Sequence, residues 1–522
     1  MSDLLKHSVI LAIALPLFGA FITPLVNSLS PRLPKFWLVT VFSATFLVVT
    51  YNLHKVLTIG TQIYVLGGES ISVPLVSGMV IPIRIIMHLD AMSAFMAFSG
   101  TLVALAVAVY SVAFMQKSSA VDEYDTLLML LLTAMLGMVM TGDAFNFFVF
   151  VEIAGISIAV LVAFWRNKAE GFEASFKYTV MGSIGALMYL IGVAFLYSKY
   201  NVLDMGAIAG RMDIALVDKI ALGLMAISLA MKAGSVPMHM ATPDAYQQAP
   251  APVTAFMVCV SQASLYGLFR VLFTVFGLSM NVETIGWLII ILGVLSMFIG
   301  VTMALKQHDI KRLMAYHAVS QTGYMLMGVG VGLAVLRMPE AFAAFGFNAM
   351  QGGIFHIINH ALYKSLLFLT AGAVFYATGK SALDDMGGLA HSMKYTTIFF
   401  LIGSAAIAGI PPFNGFASKL MIYQSVFAFN PLLAIIAMVV SIMTLASFVK
   451  VFQGAFLGPK LEAFANAKEV PASMLIGMGI LAVMIVIFGL FPSIIVDNLV
   501  GPAVQALVDR AGYIGIIIGG GM

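Results

Sequence analysis

Three lysines, Lys232, Lys364 and Lys419, interrupt stretches that are otherwise apolar. Ionisable side chains inside a membrane are costly to keep there, and by default they belong to an ion or proton path. Glu152 stands in the run Phe147-Phe148-Val149-Phe150-Val151-Glu152-Ile153, apolar on both sides. A lone carboxylate in that setting takes up a proton, whereas one beside a lysine stays ionised. A Glu152–Lys232 pair would therefore be a proton-release switch, with the lysine shedding its proton when its partner moves away. The alternative is a structural salt bridge. His356, His360 and Lys364 recur at i, i+4 and i+8, one stripe of a helix with about 6 Å of rise per step. Imidazole titrates near neutral pH and suits a shuttle, so the stripe reads as a water-assisted proton relay. A zinc site would need further ligands, and no cysteine or carboxylate joins the stripe.

Two of the lysines lie beside sequence that breaks helices. Lys232 runs into Gly234-Ser235-Val236-Pro237, and Lys419 follows Gly409-Ile410-Pro411-Pro412-Phe413-Asn414-Gly415. Proline removes an intrahelical donor and glycine weakens the helix, so both segments are expected to be discontinuous. Interrupted helices holding a charge in corresponding positions of two halves mark an inverted-repeat transporter. Without that role, both lysines would snorkel to an interface beside ordinary kinks. Secondary candidates for the path are His239, Asp244, His317, Tyr324, Arg270 and Gln262. The loop holding His239 and Asp244 could equally brace the broken helix. Lys450, near a helix end, reads as snorkelling.

The elements that must position these groups belong in lipid. The 522 residues are 61% hydrophobic and only 9% charged, with a mean hydropathy of +1.04; soluble domains carry about 25% charged residues. About fourteen apolar runs approach the roughly 20 residues that a bilayer span needs, and they lack the alternation of barrel strands. The expected fold is an all-α polytopic membrane protein of about 14 transmembrane helices. Helices 1–3 fall in 1–125, with an external hairpin near 56–88 that pairs Ile63-Tyr64-Val65 with Ile81–Ile86 around Gly67-Gly68. Helices 4–8 fall in 126–277 and helices 9–13 in 284–457, with helix 14 and a tail in 458–522. The breaks at helices 7 and 12, five spans apart, suggest two inverted five-helix repeats.

Other classes are excluded. The one cysteine, Cys259, cannot supply a disulfide framework, an iron–sulfur cluster or a cysteine zinc site. No nucleotide-binding glycine motif is present, and a net charge of +3 does not point to nucleic acid. No cofactor is expected in this chain. Met1–Lys6 lead into an apolar run without a clear cleavage site and read as the start of a retained first helix. Loops on one side, among them those of Arg166, Lys168, Lys177, Lys306, Lys311 and Arg312, collect more lysine and arginine than those on the other. That bias places both termini outside the cytoplasm of a multi-pass cell-membrane protein.

The same residues carry a family resemblance. Thr141-Gly142-Asp143 through Glu152, Lys232 to Ala245 with Pro252-Val253, the His356–Lys364 stripe and Gly409 to Lys419 resemble the antiporter-like subunits shared by Mrp cation/proton antiporters, respiratory complex I and membrane-bound hydrogenases. The likeness covers about residues 85–460. Glu173-Ala174-Ser175-Phe176-Lys177-Tyr178 looks closest to hydrogenase-type and sulfur-reducing relatives. The resemblance implies fourteen helices with inverted five-helix repeats, a Glu152–Lys232 pair in the first half-channel and Lys419 on the exit side. It also implies partners: further membrane subunits, and a cytoplasmic iron–sulfur arm that does the redox chemistry. The family usually places a lysine four residues before Tyr266-Gly267-Leu268; here that position is Gln262. Glutamine can order water but cannot carry a proton as a charge.

The expected function is proton translocation, with sodium a second candidate ion, by one subunit of a redox-driven membrane complex of hydrogenase or sulfur-reductase type. The alternatives are a non-pumping scaffold paralogue because of Gln262, a stand-alone transporter of an organic solute, and one component of an Mrp-type cation/proton antiporter.

Overall fold

Long apolar runs with no water to satisfy their backbones have one local solution, the α-helix, and helices dominate the chain. The structure is a computed structural model and describes every residue except 1–5, 30–33, 67–71, 75–79, 83–84, 117, 119, 460, 465–466 and 520–522. Its principal helices are α1 (Ser8–Leu29), α2 (Pro34–Ile59), α3 (Ala91–Phe114), α4 (Val121–Met140), α5 (Ala144–Val162), α6 (Ala169–Tyr200), α7 (Leu216–Lys232) and α8 (Ala251–Phe269). They continue as α9 (Val282–Leu305), α10 (Ile310–Ala334), α11 (Phe347–Thr378), α12 (Lys394–Ala408), α13 (Asn414–Phe429), α14 (Pro431–Val451), α15 (Ala472–Leu490), α16 (Gly501–Val508) and α17 (Arg510–Gly519). Among the described residues, 11 helical segments are long and apolar enough to cross a membrane. The chain is an all-α polytopic membrane protein. Acceptor side chains mark several starts: Asp90, Asp143, Asn281 and Asp309 accept a backbone N–H in the first turn of α3, α5, α9 and α10.

The hairpin differs from its expected pairing. Strand β1 (Gln62–Leu66) pairs with β4 (Ile85–Leu89), Gln62 opposite Leu89, and a separate inner pair joins β2 (Ser72–Pro74) to β3 (Val80–Pro82). The expected partner segment began at Ile81, so it straddled two strands. Register in so short a strand is set by contacts with the turn between α4 and α5, where Gly142 N–H donates to Ile86 O, and no local pattern encodes them. The Gly67-Gly68 turn and Met1–Leu5 lie outside the described residues.

Both expected breaks are present. α7 stops at Lys232, Gly234 turns with φ +74°, and a short helix, Thr242–Gln248, follows. Val236 N–H donates to Ser296 Oγ of α9 at 2.9 Å, which ties the break to the next helix. α12 stops at Ala408, Gly409 turns with φ +79°, and α13 begins at Asn414. The positive φ explains why glycine stands at each break.

α11 is buried around its whole circumference from Ala349 to Val374 and forms the central pillar. Beside it, α9 and α10 meet backbone to backbone. Gly286, Gly293 and Gly300 recur every seventh residue, and a β-carbon on Gly300 would stand 2.6 Å from Ser320 N, one on Gly293 2.8 Å from Gly323 O. Small residues let membrane helices approach this closely. Gly300→Val is expected to cost about 1–3 kcal/mol through overpacking, read as a lower melting temperature of the purified chain in detergent.

Candidate functional site

Lys232 is the last residue of α7, at the edge of the break. Its Nζ reaches between α5 and α6, 3.6 Å from where a β-carbon on Gly155 would sit and 3.4 Å from one on Gly182. The two glycines make the space that the amine occupies. Glu152, three residues before Gly155 on α5, is its charged neighbour. The two do not meet within 4.0 Å in this state, and Glu152 is only half-buried. A cavity of about 20 Å³ adjoins Lys232 and extends past Tyr178, Thr242 and Tyr246 to Ser261 and Ser264 of α8. A water needs roughly 10–15 Å³ of such volume and two to four polar partners, so the cavity has room for one.

Gln262 follows Ser261 and sits at the middle of the molecule. Its Nε2 donates to Ile357 O at 2.8 Å and lies 2.8 Å from His360 Nδ1. This contact joins α8 to α11. One turn away, His356 Nδ1 lies 2.9 Å from Ser418 Oγ of α13, and its Nε2 lies 3.2 Å from Gln321 Oε1 of α10 and 3.1 Å from Tyr363 OH. Lys419 Nζ is next along this line. It donates to Ile407 O at 2.7 Å and to Ser441 Oγ at 3.0 Å, and lies 4.8 Å from the centre of the Tyr324 ring. Ile407 is near the end of α12, where carbonyls lack helical partners, so the break itself supplies the acceptor. Tyr324 OH in turn donates to Ala437 O at 2.7 Å.

The expected single stripe is thus split. Four residues advance a helix by about 40° beyond a full turn. On a helix enclosed on all sides, successive members therefore face different neighbours: His360 faces α8, and His356 faces α10 and α13. Lys364 turns instead to the Phe368 and Phe448 rings, 5.4 and 6.0 Å from its Nζ, fully buried and without a hydrogen-bond partner among the described residues. His317 of α10 shares that pocket, its ring 4.9 Å from Phe448 and neither nitrogen hydrogen-bonded among the described residues. Lys364 and His317 share a pocket beside the line, with Lys364 a charged neighbour of His360 and Lys419 one of His317.

Asp244 lies off the line. It pairs with Lys177 at 3.1 Å and Arg312 at 2.6 Å, bracing the short helix after the break against α6 and α10. His239, nearly buried, packs edge-on to Tyr316. Lys450 does not snorkel freely, since its Nζ donates to Leu305 O and Gln307 O and so caps α9. Lys311, expected as a loop charge, likewise donates to the Gln247 and Ala249 carbonyls. The sequence reading missed Gln321, Tyr363, Ser418 and Ser441, uncharged groups whose partners come from distant helices. Gln321 does stand four residues after His317 and three before Tyr324, a spacing that could have flagged it.

The family model described as NADH:quinone oxidoreductase/Mrp antiporter, TM matches residues 141–444, from the start of α5 through most of α14. The chain belongs to this family. Its matched region contains Glu152, Lys232, Gln262, the α11 stripe and Lys419. One component of the Na(+)/H(+) antiporter of Alkalihalophilus pseudofirmus is 30% identical over 82% of this chain, which spans only 55% of that longer protein. The structure resembles a chain of the Mrp complex from Dietzia sp. DQ12-45-1b, with TM-score 0.85, 25% identity and 99% of each chain covered. It also resembles a chain of the membrane-bound sulfane sulfur reductase, an archaeal respiratory membrane complex, with TM-score 0.83 and 27% identity over 97% of this chain and 99% of that one. The chain is therefore an antiporter-like membrane subunit related to components of multisubunit membrane complexes.

Proposed function

We propose that the chain translocates protons as one subunit of a redox-driven membrane complex of hydrogenase or sulfur-reductase type. The observation that carries this reading is the Gln262–His360 contact, which joins the side of the molecule holding Lys232 to the side holding His356 and Lys419. Protons would enter at Lys232, with Glu152 as a partner that approaches in another state, cross by way of ordered water and Gln262 to His360 and His356, and leave from Lys419. Helices α4–α8 and α9–α14 would form the two repeats around the two breaks. Iron–sulfur and other redox groups would belong to partner subunits. The likeness to the sulfane sulfur reductase chain supports this choice of complex.

The almost complete overlap with the Mrp chain supports a second reading, a cation/proton antiporter component driven by an ion gradient. The two are separated by measuring proton movement in sealed vesicles that contain the native assembly. In the redox-driven reading, acidification requires an electron donor, and His356→Ala reduces it at least tenfold while electron transfer persists. Proton movement driven by a sodium gradient without any donor would replace this reading with the Mrp-type one.

A further inference from the structure

A second polar column leaves the centre along α8. Gln262, Tyr266 and Arg270 recur at i, i+4 and i+8, the same spacing as the α11 stripe, so they rise along one face. Tyr266 OH lies 2.9 Å from Ser93 Oγ, which donates to Asp90 Oδ1 at 3.0 Å. Arg270 donates from Nε to Tyr266 OH at 3.0 Å and pairs with Asp90 through Nη2. Every member is sealed from solvent: Asp90 is 3% exposed and Arg270 2%. The column ends at His88 of β4, directly before the start of α3. His88 is 2% exposed and has no hydrogen bond on either ring nitrogen among the described residues. Its ring centre lies 3.9 Å from that of Tyr513 of α17, and the Arg270 guanidinium lies 5.2 Å from the same tyrosine ring.

Fold stability does not account for this arrangement. Taking an Asp–Arg pair out of water costs about as much as the attraction returns, and apolar residues of equal size often serve better. Two bare imidazole nitrogens beside the pair add a further desolvation cost. The column leads from Gln262, which contacts His360, to His88 in strand β4 of the hairpin. At Arg270 the helix passes into a π-helical stretch, Arg270–Phe276, a conformation frequent at functional sites.

We propose that Tyr266, Ser93, Asp90, Arg270 and His88 form a gated proton port, a second exit beside the one at Lys419, that connects the Gln262–His360 centre to the hairpin face. This port rests on the proton-translocating reading above. Arg270 keeps its charge under all conditions, so it acts as the gate and Asp90 as the proton-accepting group. Burial alone would push the Asp90 carboxyl up, but the Arg270 guanidinium beside it holds it below the usual carboxylate range. When Arg270 swings away from Asp90, burial prevails and Asp90 takes the proton that water relays from His360 past Tyr266. When Arg270 returns, Asp90 gives that proton up on the His88 side. One proton enters and one leaves per cycle, and no other bond changes.

The test uses the assembled native complex in sealed vesicles, with proton flux and melting temperature measured on each variant. Tyr266→Phe removes one hydroxyl and almost no volume. It is expected to lower flux about twofold, the remainder leaving by Lys419, with a smaller loss of melting temperature than Asp90→Asn, which removes the carboxylate and is expected to lower flux by the same factor. Arg270→Gln, which removes the charge that makes Asp90 release its proton, is expected to lower flux by the same factor and to leave the passive leak unchanged. A purely structural clasp would move melting temperatures and leave flux and leak at wild-type values. If Tyr266→Phe pumps normally while His360→Ala does not, the port is overturned and the central path stands. If His360→Ala also pumps normally, the proton-translocating reading falls and takes the port with it.

Discussion

Lys232→Ala is expected to abolish proton translocation while electron transfer in the complex continues in part. The amine fills a space kept open by Gly155 and Gly182 and borders the cavity that leads to Ser261, so its loss empties the entry to the centre. Proton-transferring side chains typically contribute on the order of 10²–10⁴ in rate, and a loss of at least the lower figure is expected. Lys232→Arg separates charge from chemistry. Arginine keeps the positive charge and fits a structural salt bridge with Glu152, but it does not release a proton. If both variants lose flux, proton release is the role; wild-type flux in Lys232→Arg would reduce Lys232 to a fixed counter-charge. The readout is acidification per electron transferred.

The second large effect is expected at Gln262, where a pump and a scaffold part company. The amide contacts His360 Nδ1 and the Ile357 carbonyl, and leucine can replace neither contact. Gln262→Leu should therefore cut flux at least tenfold, because it leaves His360 without its neighbour across the helix boundary and dries the step from the Ser261 cavity. Gln262→Lys puts a titratable amine where the family resemblance implies one and should conduct as well as the native chain or faster. The measurement is proton flux at matched expression and assembly. Unchanged flux in both variants, together with unchanged flux in His360→Ala, would mean that no proton crosses this centre. The scaffold assignment would then hold.

Much of the architecture was readable in advance because its causes are local. A run of apolar residues dictates a helix wherever it lies, and Gly234 and Gly409 with their neighbouring prolines announce the two breaks. The types of residue in the site were readable for the same reason, since Lys364 or His356 stands out in any apolar run. Their partners were not. Gln262 and His360 are 98 residues apart, and Asp90 and Arg270 are 180 apart, so no spacing rule joins them. At Lys232 burial argued for a charged neighbour, and Glu152 is one, but the space at Gly155 and Gly182 that the amine occupies was not legible in the sequence. The hairpin register escaped because it depends on the Gly142–Ile86 contact across the sheet edge.

The glycine seam between α9 and α10 restricts what can move. Sliding one helix along the other would drive Ser320, Gly323 and Ala334 of α10 out of the notches at Gly300, Gly293 and Gly286, and a packed interface has no continuous series of intermediate fits. The pair therefore behaves as one beam through the thickness of the membrane. Ser296, which holds Val236 at the first break, is mounted on that beam, and Tyr324, beneath Lys419, is mounted on its other member. A piston stroke of α9 against α10 is opposed by this construction. A signal that crosses this seam from one lysine to the other is carried by charge, by water and by side-chain rotation around a stationary pair of helices.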